Sequence, residues 1–416
     1  MTGVSYFARP ELAQQHIQDL FDTTFGLSGG LFLAAPRGTG KSTFVLNDLV
    51  PALVATNATV IYVDLWADKK TDPAILISDA IRVELKKDAG VISKYAEKMG
   101  LGKISIGALG NGLSFDLSSL GLSNDMTLSG VLSMLAEHTG GSIVLVIDEA
   151  QHALTTGQGS NAMAALKAAR DKLNIQGKAG CHFFLVATGS NREKLATTVT
   201  NKDEAFYGAD FVDFPKLSKD YLAWLFAKVG YVLDVDKAYE VFKKAGGRPE
   251  AMALAMKKLK SQMHYQPVDD PDLFLENMVR MHLVNSRSAF LTSVSYLPAL
   301  QVAILHEVAA ENLLQNGAAR VGMFSAKMLA RLQARVLAQT GSTAETGKLD
   351  FSAVQNGHDA LRDKAFLWKA QRGAYWIEDD QYIEWLNDFD QLAKLPSTFA
   401  DAQQSDEFLQ SDVPKG

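Results

Sequence analysis

The first half of the chain is predicted to form an α/β unit in which helices cover a parallel β-sheet. Short apolar runs rich in β-branched residues alternate there with longer helical patterns, as expected when a crossover helix follows each strand. Polar residues begin where each run ends. Because ligands of such sheets bind at the carboxyl ends of the strands, the polar residues after three of the runs are expected to converge on one site. The four runs are residues 30–35, 58–64, 142–147 and 182–187.

Length and composition indicate a modular protein made of globular units. The chain has 416 residues, of which 47% are hydrophobic and 21% charged, a composition typical of folded domains. No apolar run is as long as a membrane span, and the first residues lack the features of a signal peptide, so a cytoplasmic location is expected. The net charge of −6 excludes a general attraction to nucleic acid, so DNA binding requires a local basic patch.

A glycine-rich loop follows the first run. The segment APRGTGKST, residues 35–43, lies between a strand and a helical pattern, which is the context of a P-loop. Backbone N–H groups of this loop are expected to surround phosphates, with Lys41 neutralising the β and γ oxygens and Ser42 ligating Mg²⁺. Ala35 replaces the usual first glycine, which is tolerated if its φ is negative. The predicted nucleotide-binding residues are Pro36, Arg37, Gly38, Thr39, Gly40, Lys41, Ser42 and Thr43.

Two acidic residues end the third run. The pattern IVLVIDE places Asp148 and Glu149 at the carboxyl end of a strand, where neighbouring side chains point to opposite faces. Asp148 is predicted to hold Mg²⁺ with Ser42, and Glu149 to polarise the attacking water. Together with the loop, this pair predicts a P-loop NTPase fold that binds ATP and Mg²⁺ and hydrolyses ATP to ADP and phosphate.

Further positions are predicted to contact the phosphates. Thr188, Ser190 and Asn191 end the fourth run, and their short polar side chains suit the γ-phosphate or the attacking water; Thr188 is preferred. From about residue 217, amphipathic helical patterns replace the strands and predict a helical lid. Arg248 begins one of these helices and is predicted to fold over the nucleotide.

The rest of the chain is divided by changes in pattern. In residues 102–121, apolar residues alternate with small or polar residues around Gly-Asn-Gly, which predicts a β-hairpin inserted in the core. A hairpin that covers apolar surface is favoured over one that faces a partner or a pore. Helical patterns followed by two short β runs predict a C-terminal winged helix. The predicted order is an ATPase core (1–215), a helical lid (216–265), a linker and helix (266–289), a winged-helix domain (290–395) and an acidic tail (396–416).

In order and spacing, these motifs resemble those of the AAA+ ATPases, especially the origin-recognition and transposition-regulator branch and the neighbouring STAND signalling ATPases. The resemblance covers residues 1 to about 265, and a winged helix behind the lid fits the same branch. It implies a Walker A pair at Lys41 and Ser42, a Walker B pair at Asp148 and Glu149, sensor 1 at Thr188, sensor 2 at Arg248, and adenine contacts from Tyr6 to Pro10.

The sequence departs from that family at one place. AAA+ proteins usually carry an arginine finger after sensor 1, yet no arginine lies between Arg192 and Arg248. Arg192 and Lys202 do not stand at the usual position. Because such a finger can supply several orders of magnitude in rate, slow hydrolysis is expected. This favours a nucleotide-controlled switch over a ring motor.

The winged helix has two candidate partners, duplex DNA and a protein. Its predicted recognition helix and wing carry groups suited to bases and phosphates, but carboxylates in the same segments would repel a phosphate backbone. Trp368, Trp376 and Trp385 are predicted to pack the core, with a stacking platform for bases as the less favoured alternative. The DNA-facing candidates are Gln355, Asn356, His358, Arg362, Lys364, Lys369 and Arg372; the opposing acids are Asp350, Asp359, Asp363, Glu378, Asp379 and Asp380.

Three functions fit these observations. The leading hypothesis is an AAA+ type ATPase switch whose nucleotide state controls engagement of DNA or a protein partner, as in initiators, transposition regulators and defence ATPases. The nucleotide state could also control the formation of homo-oligomers. The alternative is a STAND-like signalling ATPase that acts on a protein partner without DNA binding. The third is an ATP-binding scaffold with negligible turnover.

Overall fold

The structure of the chain is a computed structural model with two compact units, residues 1–282 and residues 283–416. The predicted hairpin insertion (102–121) and acidic tail (396–416) lie outside the described residues. Within the part of the chain that the structure describes, no helix is long and apolar enough to cross a membrane. The described residues are 6–22, 24, 30–68, 70–87, 128–176, 180–228, 233–313, 322–346, 349–371 and 374–392.

A parallel sheet forms the centre of unit 1. In the described residues its strands are β1 (Leu31–Ala34), β2 (Thr59–Asp64), β3 (Ile143–Asp148), β4 (Phe183–Gly189) and β5 (Asp210–Asp213). The strand order is β2-β3-β4-β1-β5, and all neighbouring pairs are parallel. The predicted P-loop NTPase sheet is therefore confirmed. Because β1 lies beside β4, and β4 beside β3, the carboxyl ends of these three strands meet at one edge.

Both faces of this sheet are buried. Phe32 of β1 and Leu145 of β3 belong to the core on one face, whereas Leu33 and Val146, their neighbours along the chain, belong to the core on the other. Strands buried on both sides carry continuous apolar runs, which is why the four runs were recognisable. β5 was not predicted, because it is a short edge strand with an exposed aspartate at each end.

Helices cover the sheet and continue beyond it. The helices of unit 1 are α1 (Pro10–Phe21), α2 (Lys41–Phe44), α3 (Val50–Ala55), α4 (Pro73–Lys86), α5 (Leu128–Thr139), α6 (Gly157–Gln176), α7 (Arg192–Thr200), α8 (Lys219–Ala227), α9 (Val235–Lys244), α10 (Pro249–Tyr265) and the first part of α11 (Pro271–Ser295).

Two of these helices are joined by a π-helical turn, Val45–Leu49, so that α2, the turn and α3 form one continuous helix behind the P-loop. Pro51 lies in the first turn of α3. Proline has no N–H, so the carbonyl of Asn47, four residues earlier, cannot receive the usual α-helical hydrogen bond. This missing donor accounts for an irregular helix at this place.

The helices α8, α9 and α10 occupy the segment predicted as the lid. Gly246 and Gly247, with φ of 72° and 68°, follow the last residue of α9, Lys244. Residues 266–270 connect α10 to α11, and α11 runs across the boundary at residue 282. The segment 266–289 is therefore mostly helix. Whether residues 216–265 act as a separate lid domain stays a prediction.

Unit 2 consists of helices followed by an antiparallel hairpin and a final helix. Its core includes Ile304, Leu332, Leu361 and Leu367. The amide of Asn312 donates to the carbonyl of Tyr375 (3.0 Å) and its oxygen accepts from the N–H of Ile377 (2.9 Å), which ties the hairpin to a helix. The elements are α12 (Ala299–Asn312), α13 (Ala326–Thr340), α14 (Thr343–Thr346), α15 (Phe351–Asp363), β6 (Leu367–Gln371), β7 (Ala374–Ile377) and α16 (Asp380–Leu392).

The three tryptophans of unit 2 do not share one environment. Trp385 is buried in the core, as predicted. Trp368 and Trp376 are directly opposite each other on β6 and β7, stack with ring centroids 6.3 Å apart, and are only half-buried. Their neighbours Leu367 and Ile377 fill the core side of the hairpin. The two-residue period of a strand thus places this pair on the outer face, and its predicted core position is wrong.

His358 does not occupy the exposed, DNA-facing position that the sequence predicted. It is 0% exposed, its Nδ1 lies 2.8 Å from the carbonyl of Val354, and its ring is 4.3 Å from that of Tyr375. Burial lowers the pKa of His358, against smaller opposing effects of the Val354 carbonyl and Asp359. A helical period places this position on the inner face of α15, which a list of polar residues does not reveal.

The buried imidazole predicts a dependence of stability on pH. Because the pKa of His358 is lower in the folded state, the unfolded chain binds the proton more readily, and stability falls as the pH drops below about 6.5. We expect His358→Phe to reduce this loss of unfolding free energy between pH 7.5 and 5.5 in urea titrations. The exchange of the exposed His264 by Phe serves as the control. An unchanged pH dependence in His358→Phe contradicts the prediction.

Candidate functional site

The P-loop connects β1 to α2 through residues 35–40. Gly38 and Gly40 have φ of 78° and 87°, a backbone region that glycine adopts far more readily than other residues. Ala35 is not among the described residues with positive φ, so an alanine is compatible with this position. Its N–H donates to the carbonyl of Gly189 at the end of β4 (3.2 Å). The loop is thereby fixed to the strand that carries the neighbouring polar residues.

Lys41 brings the predicted residues together. Its side chain is only 5% exposed. The Nζ atom lies 3.2 Å from Oδ1 of Asp148, 3.5 Å from Oε1 of Glu149 and 3.4 Å from Oγ1 of Thr188. A buried ammonium group requires such partners, because leaving it unpaired is costly. Residues at or after the carboxyl ends of β1, β3 and β4 thus converge at one point, as the sequence predicted.

The carboxylate of Asp148 is held from several sides. Thr188 donates a hydrogen bond to its Oδ1, and the hydroxyl of Tyr62 on β2 lies 3.3 Å from Oδ2. Burial tends to raise the pKa of Asp148, but the charge of Lys41 and hydrogen bonds from Ser42 and Thr188 outweigh it and lower the pKa. Asp148 is therefore ionised at neutral pH. The hydroxyl of Ser42 lies beside this ionised carboxylate. Both groups offer oxygen ligands of the kind that Mg²⁺ prefers.

Glu149 has an unusual backbone and a fully engaged side chain. Its φ of 55° and ψ of 41° lie in the left-handed region, which is uncommon for a residue other than glycine. Ser190 donates to its Oε2 (2.6 Å), as does the amide of Gln151. Burial tends to raise the pKa of Glu149, but these bonds and the charge of Lys41 lower it. The carboxylate is thus ionised and held in one orientation.

Gly189 makes this arrangement possible. A Cβ atom added there would clash with the side-chain oxygen of Gln151, so a larger residue would displace the amide that contacts Glu149. Ser190 also accepts a hydrogen bond from Nε of Arg37 in the P-loop (3.2 Å). The P-loop and the Glu149 carboxylate are therefore joined through Ser190.

The three polar residues at the end of β4 have different surroundings. Thr188 is 0% exposed and contacts Lys41 and Asp148. Ser190 contacts Glu149 and Arg37. The side-chain oxygen of Asn191 accepts from the N–H of Lys194 (2.8 Å) and caps α7. Of the three, Thr188 and Ser190 belong to the site, and Asn191 has a structural contact.

The two arginines considered from the sequence lie apart from this cluster. Arg248 immediately precedes α10, is half-buried, and does not line the cavity formed by the P-loop. Arg192 forms an ion pair with Asp213 of β5.

A cavity of about 330 Å³ lies over the P-loop. Four residues of the site were missed by the sequence reasoning: Asp64, Trp66, Tyr62 and Gln151. Asp64 ends β2 directly beside Asp148 of β3, so the polar end of the second run carried the signal. The cavity is lined by residues 36–43 together with Asp64, Trp66, Asp148 and Glu149.

Comparisons with known proteins agree with this geometry. The family model described as an AAA domain matches residues 27–195. Among solved structures, the Walker-type ATPase PABY2304 of Pyrococcus abyssi is similar over 92% of this chain and 96% of its own, with 16% identity and a TM-score of 0.53. The ADP form of the Aeropyrum pernix ORC2 protein is similar over 94% and 96%, with 14% identity and a TM-score of 0.52.

No curated protein sequence matches the chain. At these identities the two solved structures establish the fold alone. The matched segment contains the P-loop, the Asp148–Glu149 pair and the polar end of β4. Residues 27–195 therefore resemble an AAA domain, and unit 1 has a P-loop NTPase fold.

Proposed function

We propose that this protein binds ATP with Mg²⁺, hydrolyses it slowly, and uses the nucleotide state to control engagement of a partner. The observation that carries this proposal is the convergence of Lys41, Asp148 and Glu149 at the mouth of a loop with two left-handed glycines. These groups occupy one cavity. Their chemistry is that of phosphate binding and water activation.

Each residue has a defined task in this proposal. The N–H groups of residues 38–42 bind phosphate oxygens at the start of a helix, where its dipole favours negative charge. Lys41 exchanges its carboxylate partners for phosphate oxygens. Ser42 and Asp148 hold Mg²⁺, which when bound supplies the positive charge that the carboxylates and phosphates together require. Pro36, Arg37, Thr39 and Thr43 line the phosphate cavity.

Glu149 is proposed as the base that accepts a proton from the attacking water. Its low pKa keeps it ionised, and the bonds from Ser190 and Gln151 fix its direction. Thr188 is proposed to sense the γ-phosphate through its contact with Lys41. Arg248 is proposed to reach the phosphates when the lid helices close. The absence of an arginine between Arg192 and Arg248 supports slow turnover and a switch.

The output of the switch is proposed to lie in residues 290–395, acting as a winged helix. Several side chains of α15 that were predicted to face DNA make contacts within unit 2, which argues against α15 as a DNA-recognition helix. His358 is buried, Gln355 donates to Asp359 (2.9 Å), and Arg362 pairs with Asp359 (2.8 Å). The half-exposed pair Trp368 and Trp376 instead offers apolar area to a protein. The second candidate function, STAND-like signalling to a protein partner, is favoured by these contacts.

The first test concerns binding. We expect Lys41→Ala to abolish measurable ATP binding in calorimetric titrations with Mg²⁺, because the phosphates lose their buried cation. Lys87→Ala, which removes an exposed lysine paired with Glu84, is the matched control and should bind normally. Equal affinity in the two variants would refute the assignment of the P-loop.

The second test separates hydrolysis from binding. Glu149→Gln keeps the size of the side chain but removes its basicity, so kcat should fall by roughly 10²–10⁴-fold, the range for loss of general base catalysis. The affinity for ATP should be retained. The measurement is phosphate release at saturating ATP. Unchanged turnover would mean that another group activates the water.

The third test uses the pH dependence of turnover. The hydrogen bond from Ser190 helps to lower the pKa of Glu149, so Ser190→Ala should raise that pKa. Activity is lost when Glu149 is protonated, and the acidic limb of the kcat profile should therefore move to higher pH. Ser160→Ala, an exposed exchange on α6, is the control. A limb that stays in place contradicts the role given to Ser190.

The fourth test distinguishes the two outputs. A DNA reader should bind duplex DNA in a manner that depends on nucleotide and weakens steeply with salt. We expect little such binding, and no change on Asn356→Ala, an exposed position of α15. Fluorescence anisotropy of labelled duplex across 50–300 mM salt, with ATP or ADP, is a suitable measurement. Tight binding that Asn356→Ala weakens would restore the DNA reader.

A further inference from the structure

The segment Tyr6–Arg9, the N-terminal strap, contacts two parts of unit 1 that are distant in sequence. On one side it touches the π-helical turn of the P-loop helix. The hydroxyl of Tyr6 donates to the carbonyl of Asn47 (3.0 Å), and the N–H of Arg9 donates to Oδ1 of Asp48 (3.0 Å). Tyr6 thus supplies a donor to the carbonyl that Pro51 leaves without its helical partner. The strap is fitted to this irregular turn.

The side chain of Arg9 extends from the P-loop helix toward the segment before α8. Its guanidinium lies 4.3 Å from the ring centroid of Phe214 and 5.1 Å from that of Phe44. Nη1 donates to the carbonyl of Pro215 (3.2 Å). Burial lowers the pKa of Arg9 to about 10, with Asp48 opposing the effect, so the group remains a cation at neutral pH. A partly desolvated guanidinium between two rings is a strong and directional contact.

Phe7 continues the strap to the lid helices. Its ring is 5.7 Å from those of Tyr221 and Trp224 on α8, in edge-on contacts. Tyr221 is 5% exposed, packs against Phe242 of α9, and donates from its hydroxyl to the carbonyl of Pro249 (3.2 Å). Pro249 is the first residue of α10. A continuous set of contacts therefore leads from the strap to the start of α10.

Arg248 stands directly before that start. The strap is joined to the helix that begins with Lys41 and, through Tyr221, to the residue that follows Arg248. A rigid connection of this kind fixes the distance between two groups that must reach the same phosphates. It also offers a route by which movement of the P-loop helix alters the position of the lid.

We propose that Phe7 and Arg9 are positioning residues that set the place of Arg248 relative to the P-loop, and so the preference for ATP over ADP. This inference rests on the proposed contact of Arg248 with the phosphates. The residues of the strap do not line the cavity over the P-loop. Its effect on turnover and on nucleotide preference passes entirely through Arg248.

The test is a double-mutant cycle between Phe7→Ala and Arg248→Ala. Each single variant is expected to lower kcat and the ratio of ATP to ADP affinity by roughly tenfold, the size expected for loss of an aromatic pair. In the Arg248→Ala background, Phe7→Ala should produce no further loss, because its effect passes through Arg248. Phe7→Tyr should restore both quantities. Affinities are measured by displacement of a fluorescent ADP analogue.

A structural control separates positioning from general destabilisation. Phe21→Ala removes the aromatic contact between Phe21 of α1 and Phe184 of β4, whose ring centroids are 4.8 Å apart. It should lower the melting temperature without changing the ATP to ADP ratio. Arg9→Met should behave like Phe7→Ala in the cycle.

The outcomes are distinguishable. A wild-type protein that binds no ATP overturns the proposed function. A wild-type protein that binds and hydrolyses ATP, but in which the losses of Phe7→Ala and Arg248→Ala multiply, overturns the role of the strap alone. The same holds if Phe7→Ala leaves the ATP to ADP ratio unchanged while Arg248→Ala lowers it. If the double variant loses no more activity and no more of the ATP to ADP ratio than Arg248→Ala alone, the result supports the positioning role of the strap.

Discussion

The site depends on one buried cation that faces two carboxylates. Lys41 is the shared partner of Asp148 and Glu149, and removal of its ammonium group would leave two negative charges beside each other in a poorly solvated place. The left-handed glycines position the start of the P-loop helix, and strand order brings β3 and β4 beside β1. The fold therefore holds these three charges together, and in the proposed function phosphates replace the carboxylates as partners of Lys41.

Much of this site could be predicted from the sequence because its parts are local. The P-loop was recognisable from Gly40, Lys41 and Ser42 in the segment directly after an apolar strand, and strands buried on both faces appear in the sequence as apolar runs. The convergence of Lys41, Asp148 and Thr188 followed from the parallel order of those runs. Asp64 and Tyr62 were missed because their relevance depends on which strand lies next to β3. Strand order is a property of the whole sheet and is not written in any one segment.

Residues in the C-terminal unit were harder to place for a related reason. His358 and Arg362 are both polar and lie on the same helix, yet one is fully buried and the other pairs with Asp359 at the surface. Trp368 and Trp376 were expected in the core because they are large and apolar, but the strand period directs them outward. In each case the side of an element that a residue occupies, and not its type, decides what it can contact.

The left-handed backbone of Glu149 has a consequence for how such a chain can change over evolutionary time. Glycine adopts this conformation without strain, so replacement of Glu149 by glycine would relieve the backbone while removing the carboxylate that is proposed as the base. It would also remove one of two like charges around Lys41. In the proposed function, this single exchange would therefore abolish turnover. The variant would retain Lys41 and Asp148, and with them the proposed binding of nucleotide.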